Sequence, residues 1–167
     1  MLQASRLVLI DALLDKSDSL FRTFLLVLAG SILLTVSAKI QVPFYPVPMT
    51  LQTLVVLLIG ILFGWRMGFA TVLVYLAQGA MGIPVFAGTP EKGLGILYMA
   101  GPTGGYLVGF ALAAGLTGWL AERGLDRSVI GTAIAMIAGN SVIYLFGLGW
   151  LANFVGFEKA VAFGMSP

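Results

Sequence analysis

Long runs without a charged residue are the feature that most constrains this chain. A helix needs about 20 mainly apolar residues to cross a hydrocarbon core of roughly 30 Å. Four charge-free runs reach that length and a fifth approaches it. They cover Ile40–Trp65, Met67–Pro90, Gly93–Ala121, Ser128–Phe157 and the shorter Thr23–Ala38. The sequence therefore predicts a polytopic membrane protein.

The composition supports the same class. The 167 residues are 59% hydrophobic and only 10% charged, and a water-exposed surface of that composition would aggregate. Within lipid, every backbone N–H and C=O must be satisfied, so only helices or a closed barrel can span. Because a barrel requires alternating polarity, the uninterrupted runs predict an all-α polytopic membrane fold.

The charge pattern divides the chain into two regions. Residues 1–20 mix apolar and charged side chains, which predicts a cytoplasmic or interfacial segment, and residues 21–167 form one transmembrane domain. A surface helix is predicted at Phe157–Gly164. Five spans are predicted. The first two are Phe21–Ala38 and Leu51–Phe63, the third follows a tight turn at residues 64–68 and ends near Met81, and the last two are Thr103–Ala121 and Ser128–Leu151.

Two connectors are unusual. Residues 41–50 contain three prolines, which predicts an extended or partly re-entrant loop. Residues 82–105 contain seven glycines and three prolines among hydrophobic residues, which predicts a lid folded back over the helices. With a cytoplasmic N-terminus, six Lys or Arg residues lie inside and three outside, as the positive-inside rule favours. Both connectors then share the outer face, where a substrate would enter.

Several function classes are excluded or disfavoured. The chain has no Cys and no His, which removes the usual metal and haem sites and any imidazole base, and no cofactor is expected. It has no phosphate-binding loop, so energy from ATP would come from a partner. The net charge of +2 is too small to indicate nucleic-acid binding. Spans two to five hold no charged residue, which disfavours a self-powered ion-coupled transporter.

Small residues recur at four-residue spacing in the last two spans. In lipid, helices associate closely where small side chains let their backbones approach. The pattern predicts that spans four and five meet along two stripes, with packing favoured over a ligand site. One stripe contains Gly105, Gly109, Ala113 and Thr117, and the other contains Gly131, Ala135 and Gly139.

Polar side chains inside the spans are few, and each is costly unless it finds a partner. Gln52 and Asn140 are equally consistent with ligand binding and with interhelical hydrogen bonding. Gln78 and Ser141 favour a structural role. A site built from amides, hydroxyls and aromatics suits a small, largely neutral, partly apolar molecule.

Three strings in order resemble the BioY family of biotin-specific subunits, the S components of energy-coupling-factor transporters. They are VPFYPVPMTLQT at 42–53, GIPVFAG at 82–88 and GPTGGY at 101–106. The similarity continues through WLAERG at 119–124 to the end of the chain and covers about residues 20–167.

The resemblance implies a helical bundle that captures biotin at the outer face of the cell membrane beneath a lid of loops. It also implies a transmembrane coupling (T) subunit and two cytoplasmic ATPases as partners. Biotin's ureido group needs donors and acceptors, which Gln52 and Asn140 can supply. The substrate-binding residues expected by position are Gln52, Phe86, Gly88, Gly101, Pro102, Thr103, Gly105, Tyr106 and Asn140.

The sequence departs from the family pattern in two places. The family opens a sixth helix with a Pro-Gly-Asp turn and a lysine three residues later, and this chain ends at Pro167 before that motif. It is therefore interpreted as a truncated form with five of six spans. The family's AxxxA docking pattern on the first helix is replaced by Ser31 and Thr35. A solitary biotin transporter is the first alternative function, and a membrane enzyme or scaffold is the second.

Overall fold

The computed structural model describes residues 19–42 and 47–165, so nearly all of the predicted interfacial segment 1–20 lies outside the described residues. The described chain is mainly helical, with one small β-ladder. Its elements are α1 (Ser19–Lys39), β1 (Gln41–Val42), β2 (Met49–Thr50), α2 (Gln52–Ala80), α3 (Gly95–Met99), α4 (Gly104–Glu122), a 3₁₀ turn (Leu125–Arg127), α5 (Val129–Val155) and α6 (Phe157–Met165).

Four of these helices, α1, α2, α4 and α5, are long and apolar enough to cross a membrane. Helix α2 is interrupted at Gly64, where φ is 78° and ψ is 173°. A Cβ placed on Gly68 would lie 2.9 Å from the Gly60 Cα, whereas residues eight apart in one straight helix are roughly 12 Å apart. Helix α2 is therefore a hairpin of two antiparallel halves, 52–63 and 65–80. This confirms an all-α membrane fold with five apolar segments.

The reversal at Gly64 is fixed by contact with α4. A Cβ on Gly118 would lie 2.4 Å from the Trp65 backbone nitrogen, so only glycine permits this approach. The Glu122 carboxylate accepts a hydrogen bond from the Trp65 N–H at 3.0 Å. Because that N–H starts a new helical segment and lacks a helical partner, Glu122 acts as its cap.

Helices α4 and α5 pack closely along the small-residue stripes. A Cβ on Gly109 would lie 2.9 Å from the Ile143 Cα, and one on Gly139 would lie 2.5 Å from the Thr117 side chain. Ala113 and Ala135 are fully or almost fully buried. Gly131 differs, because it lies against the carbonyl oxygen of Leu125 in the turn that precedes α5 and not against α4.

The end of α5 lies one turn beyond the predicted Leu151. The helix begins after Ser128, whose hydroxyl accepts a hydrogen bond from the Gly131 N–H at 3.0 Å. Asn153 lies in this additional turn, and its side-chain amide donates to the Gly149 and Trp150 carbonyls of the same helix. The helix ends at Gly156, where φ is 84°.

The two ends of the bundle carry different connections. The turn end contains the Gly64 reversal and the 3₁₀ turn. The loop end contains β1, β2 and residues 82–103, which include α3. Strands β1 and β2 pair antiparallel, with Gln41 opposite Thr50 and Val42 opposite Met49, while the intervening residues 43–46 are outside the described range.

Residues 85–87 are buried against the helices, so the glycine-rich connector folds back as its composition predicted. The outward faces of α1 and α5 expose large apolar side chains, as acyl chains would favour.

Candidate functional site

Gln52 opens α2 at the loop end and is only 3% exposed. Its amide nitrogen Nε2 has no hydrogen-bond partner within the described chain. The nearby Tyr75 hydroxyl donates to the Val85 carbonyl at 3.0 Å, and it does not meet Nε2 in hydrogen-bonding geometry. A buried donor without an acceptor costs about 1–3 kcal/mol. Gln52 Nε2 is therefore a donor that an acceptor from a bound molecule would satisfy.

Tyr106 supplies a second unpartnered donor. Its hydroxyl is buried and has no hydrogen-bond partner among the residues described. The ring packs where a Cβ on Gly147 would otherwise be, and it meets the Tyr144 ring edge-to-face with centroids 6.2 Å apart. Glycine at 147 thus lets a tyrosine of α4 lie between α4 and α5 with its hydroxyl free.

Asn140 lies on α5, one turn before Tyr144, and is half-buried. No described residue hydrogen-bonds to its amide. The neighbouring Gly139 lies against Leu57, which is five residues beyond Gln52 in the same helix. At 1.5 Å per residue, Asn140 is therefore about one to two helical turns deeper in the bundle than Gln52. The structure brings Gln52 and Tyr106 to the loop end and places Asn140 nearer the middle.

Phe86 belongs to an aromatic cluster with Tyr75 and Tyr98. Its ring stacks on Tyr98 with centroids 5.0 Å apart and meets Tyr75 edge-on at 5.5 Å. It occupies the notch left by Gly79, where any Cβ would lie 2.0 Å from the ring. At 1% exposure the ring fixes the connector to α2 and presents no open face. Gly88, two residues later, is half-buried and has φ of 72°.

The segment between α3 and α4 carries three more predicted site residues, Gly101, Pro102 and Thr103, all half-buried. The Trp150 indole N–H donates to the Gly101 carbonyl at 3.0 Å, which ties this segment to α5. Burial raises the pKa of the Tyr98 hydroxyl, and the nearby Thr103 hydroxyl opposes that rise. The phenol therefore remains protonated at neutral pH and donates to the Ala87 carbonyl at 2.7 Å.

Gly105, also predicted to bind substrate, packs against α5. A Cβ there would lie 2.3 Å from the Trp150 Cβ and 2.4 Å from the Phe146 carbonyl oxygen. Its contacts are therefore those of helix packing.

Of the two predicted partner-docking residues, Ser31 needs correction. Ser31 is 1% exposed, and its hydroxyl donates to the Oε1 of Gln78 on α2. A buried, bonded side chain cannot reach a partner, so Ser31 belongs to the α1–α2 contact. Thr35 is half-buried and donates to the Ser31 carbonyl at 2.9 Å. The structural roles predicted for Gln78 and Ser141 are both observed, since Ser141 donates to the Ile137 carbonyl of its own helix.

Sequence reasoning missed Lys39 and Tyr98 and gave Tyr75 no specific role. In the sequence, Lys39 is the charge that directly follows the first predicted span, yet in the structure its ammonium donates to the connector at residues 86 and 89. No sequence signal links Lys39, which precedes the proline-rich connector 41–50, to a turn that lies 47 residues further along the chain. Nothing in the sequence pattern shows which carbonyls the two tyrosines reach. Within the described range, no group of three His, Cys, Asp or Glu residues could hold a metal.

Comparison with known proteins gives a consistent result. The sequence profile described as the BioY family matches residues 10–167. The chain is 44% identical over 135 residues to the "Probable biotin transporter BioY" of Pyrococcus horikoshii, covering 81% of this chain and 77% of that protein. It is 40% identical over 136 residues to the "Biotin transporter BioY" of Thermotoga maritima, covering 81% and 78% respectively.

A solved structure shares the fold. It is described as the "S-component for biotin from an ECF-type ABC transporter" and superposes with a TM-score of 0.74 at 22% identity, covering 90% of this chain and 85% of that one. Fold, family profile and relatives agree, and the chain belongs to the BioY family.

Proposed function

We propose that this chain is a biotin-binding membrane subunit that captures its substrate at the loop end and delivers it for uptake, without chemistry of its own. The observation that carries the proposal is the pair of buried, unpartnered donors at that end, Gln52 Nε2 and the Tyr106 hydroxyl. The relatives named as biotin transporters supply the ligand.

Biotin's functional groups match these side chains. Its ureido carbonyl is a strong acceptor, which either unpartnered donor would satisfy, and its two ureido N–H groups need acceptors such as a side-chain amide oxygen. The half-buried Asn140 amide offers such an oxygen deeper in the bundle. Gly101, Pro102 and Thr103 would border the site at the loop end, while Phe86, Gly88 and Gly105 would support it through packing.

The distribution of cations favours an N-terminus in the cytoplasm and a loop end that faces outward. Among the described residues, the turn end carries Arg22, Arg66, Arg123 and Arg127, whereas Lys39, Lys92 and Lys159 follow segments that end at the loop end. Lys and Arg accumulate on the cytoplasmic side of membrane proteins. Substrate would then enter from outside.

A coupling (T) subunit and two ATPases are the partners that the family resemblance implies. Ser31 is buried and bonded to Gln78, so its side chain is not available for docking. A partner would meet other residues on the exposed face of α1. The alternative is a solitary transporter. Biotin uptake into vesicles containing this chain alone, compared with vesicles that also hold the energising subunits and ATP, separates the two.

Isothermal titration of biotin into the detergent-solubilised protein tests binding directly. We expect saturable binding of biotin and weaker binding of an analogue that lacks the ureido carbonyl. Asn140→Ala is expected to weaken binding by about 1–3 kcal/mol if its amide meets the ureido group. Absence of biotin binding by folded protein would overturn the proposal.

A further inference from the structure

Lys39 fastens the connector that follows α2. Its ammonium donates to the Phe86 carbonyl at 2.9 Å, to the Thr89 carbonyl at 3.0 Å and to the Thr89 hydroxyl at 3.1 Å. The Thr89 hydroxyl in turn donates to the Phe86 carbonyl at 2.7 Å. The last residue of α1 thus binds a single turn of a distant part of the chain.

That turn, Val85–Thr89, is held at three consecutive carbonyls by three different elements. Tyr75 of α2 donates to Val85, Lys39 of α1 donates to Phe86, and Tyr98 of α3 donates to Ala87. We call residues 85–89 the latched turn. The three donors come from three different helices, so the latched turn is a point where α1, α2 and α3 are joined.

The hydrogen-bond capacity of Lys39 decides which role it can have. An ammonium group has three N–H donors, and three acceptors already surround this one. In this arrangement it has no donor left for a ligand carboxylate. Its contacts suit a positioning role better than direct ligand binding.

The latched turn is linked to predicted site residues on both sides. Tyr75, which holds Val85, lies near the Gln52 amide. Tyr98, which holds Ala87, lies near the Thr103 hydroxyl. A shift of the latched turn would therefore move Tyr75 and Tyr98, and it would change the surroundings of Gln52 and Thr103 at the loop end.

We propose that Lys39 is a positioning residue that keeps the site closed around bound ligand by fastening the latched turn to the end of α1. The inference rests on the proposed function, because biotin is the ligand used to test it. It predicts that loss of the ammonium speeds ligand release, while association, which needs an open site, changes little.

The test compares Lys39→Met with Lys92→Met in the full chain, reconstituted in lipid nanodiscs. Lys92 is the matched control, because it is exposed at the same end and its side chain has no hydrogen bond or ion pair among the described residues. Both variants lose one positive charge and keep an apolar stem. We expect Lys39→Met to release labelled biotin about tenfold faster, equivalent to roughly 1.4 kcal/mol, and Lys92→Met to match the parent chain.

A second readout does not depend on the ligand. Hydrogen exchange at the Thr89 and Lys92 amides, which bond to the Phe86 and Gly88 carbonyls, should quicken in Lys39→Met and recover partly in Lys39→Arg. Thr89→Val removes one of the three acceptors and should speed release by about threefold, which keeps the test available if Lys39→Met folds poorly.

The outcomes separate the two proposals. If the parent chain does not bind biotin, the proposed function fails. If it binds and Lys39→Met, or Thr89→Val in its place, releases biotin at the parent rate, the positioning role is wrong. Equal acceleration by Lys39→Met and Lys92→Met would also overturn it, because net charge alone would then explain the effect.

Discussion

The two ends of the bundle differ in their buried polar side chains, because the buried side-chain atoms that lack a partner among the described residues both lie at the loop end. At the turn end, the Trp65 N–H is bonded to Glu122, the Gly131 N–H is bonded to Ser128, and the Arg123 guanidinium lies 3.3 Å from the Trp119 ring centroid. At the loop end, Gln52 Nε2 and the Tyr106 hydroxyl are buried without partners.

This contrast separates stability from recognition. Satisfied polar groups and a cation over an aromatic ring hold the turn end together at the membrane–water boundary. Unsatisfied donors lower the stability of the empty protein, and they strengthen binding of a molecule that brings the missing acceptors. Changes at the turn end should therefore alter unfolding, and changes at Gln52 or Tyr106 should alter affinity.

The largest expected effect is on stability at the turn end. Gly118→Ala would place a Cβ 2.4 Å from the Trp65 nitrogen, a backbone atom that cannot move aside cheaply. We expect it to lower the free energy of unfolding by about 3 kcal/mol, measured by denaturation in detergent. Gly149→Ala is the control, since nothing lies within 4 Å of that Cβ. Equal stability of the two variants would contradict the close α2–α4 contact.

The next largest effect is on binding. Gln52→Ala should weaken biotin affinity by about 1–3 kcal/mol and leave unfolding unchanged or slightly less favourable, because it removes an unpartnered buried donor. Gln78→Ala is the matched control. It breaks a bond to Ser31 and should lower stability without changing affinity. Titration calorimetry measures the affinity and thermal denaturation measures the stability. If Gln78→Ala lost affinity and Gln52→Ala lost only stability, the roles assigned to the two glutamines would be wrong.

A smaller effect is expected for the cap at the α2 reversal. Glu122→Ala should cost about 1 kcal/mol of stability, because the Trp65 N–H loses its acceptor. Glu91→Ala, at an exposed position of the loop end, should cost nothing measurable. Biotin affinity should stay unchanged in both, and a loss of affinity in Glu122→Ala would show that the two ends are coupled.

The smallest effect is expected for a single hydroxyl. Tyr106→Phe should weaken biotin binding by about 1 kcal/mol while the empty protein keeps its stability. Tyr98→Phe removes a hydroxyl that is bonded to Ala87 and should lower stability. If Tyr106→Phe binds biotin as well as the parent chain, the Tyr106 hydroxyl does not contact the ligand.

Much of the fold could be predicted because membrane insertion leaves a strong signal in the sequence. The charge-free runs located the spans. The four-residue spacing of small residues located the α4–α5 contact, because Gly109 lets α4 approach the backbone of Ile143 closely. The buried return of residues 85–87 also followed from composition.

The site was less predictable, because exposure and partnership depend on tertiary contacts. Ser31 has the size and spacing of a docking residue, yet in the folded chain it is buried and its hydroxyl donates to Gln78. Phe86 has the side chain expected of a pocket residue, but in the folded chain its ring packs against Gly79 and is buried. Lys39 is an ordinary flanking charge in the sequence, and only the folded connector supplies its three acceptors.

The reversal at Gly64 has a consequence for how the chain inserts. As one straight rod, the 29 residues of α2 would measure about 44 Å, well beyond a hydrocarbon core of roughly 30 Å. A single crossing there would also send every later segment through the bilayer in the opposite direction. The reversal at one glycine with φ of 78° thus sets the direction in which every later segment crosses the membrane. It thereby places Gln52 and Tyr106 on the same side.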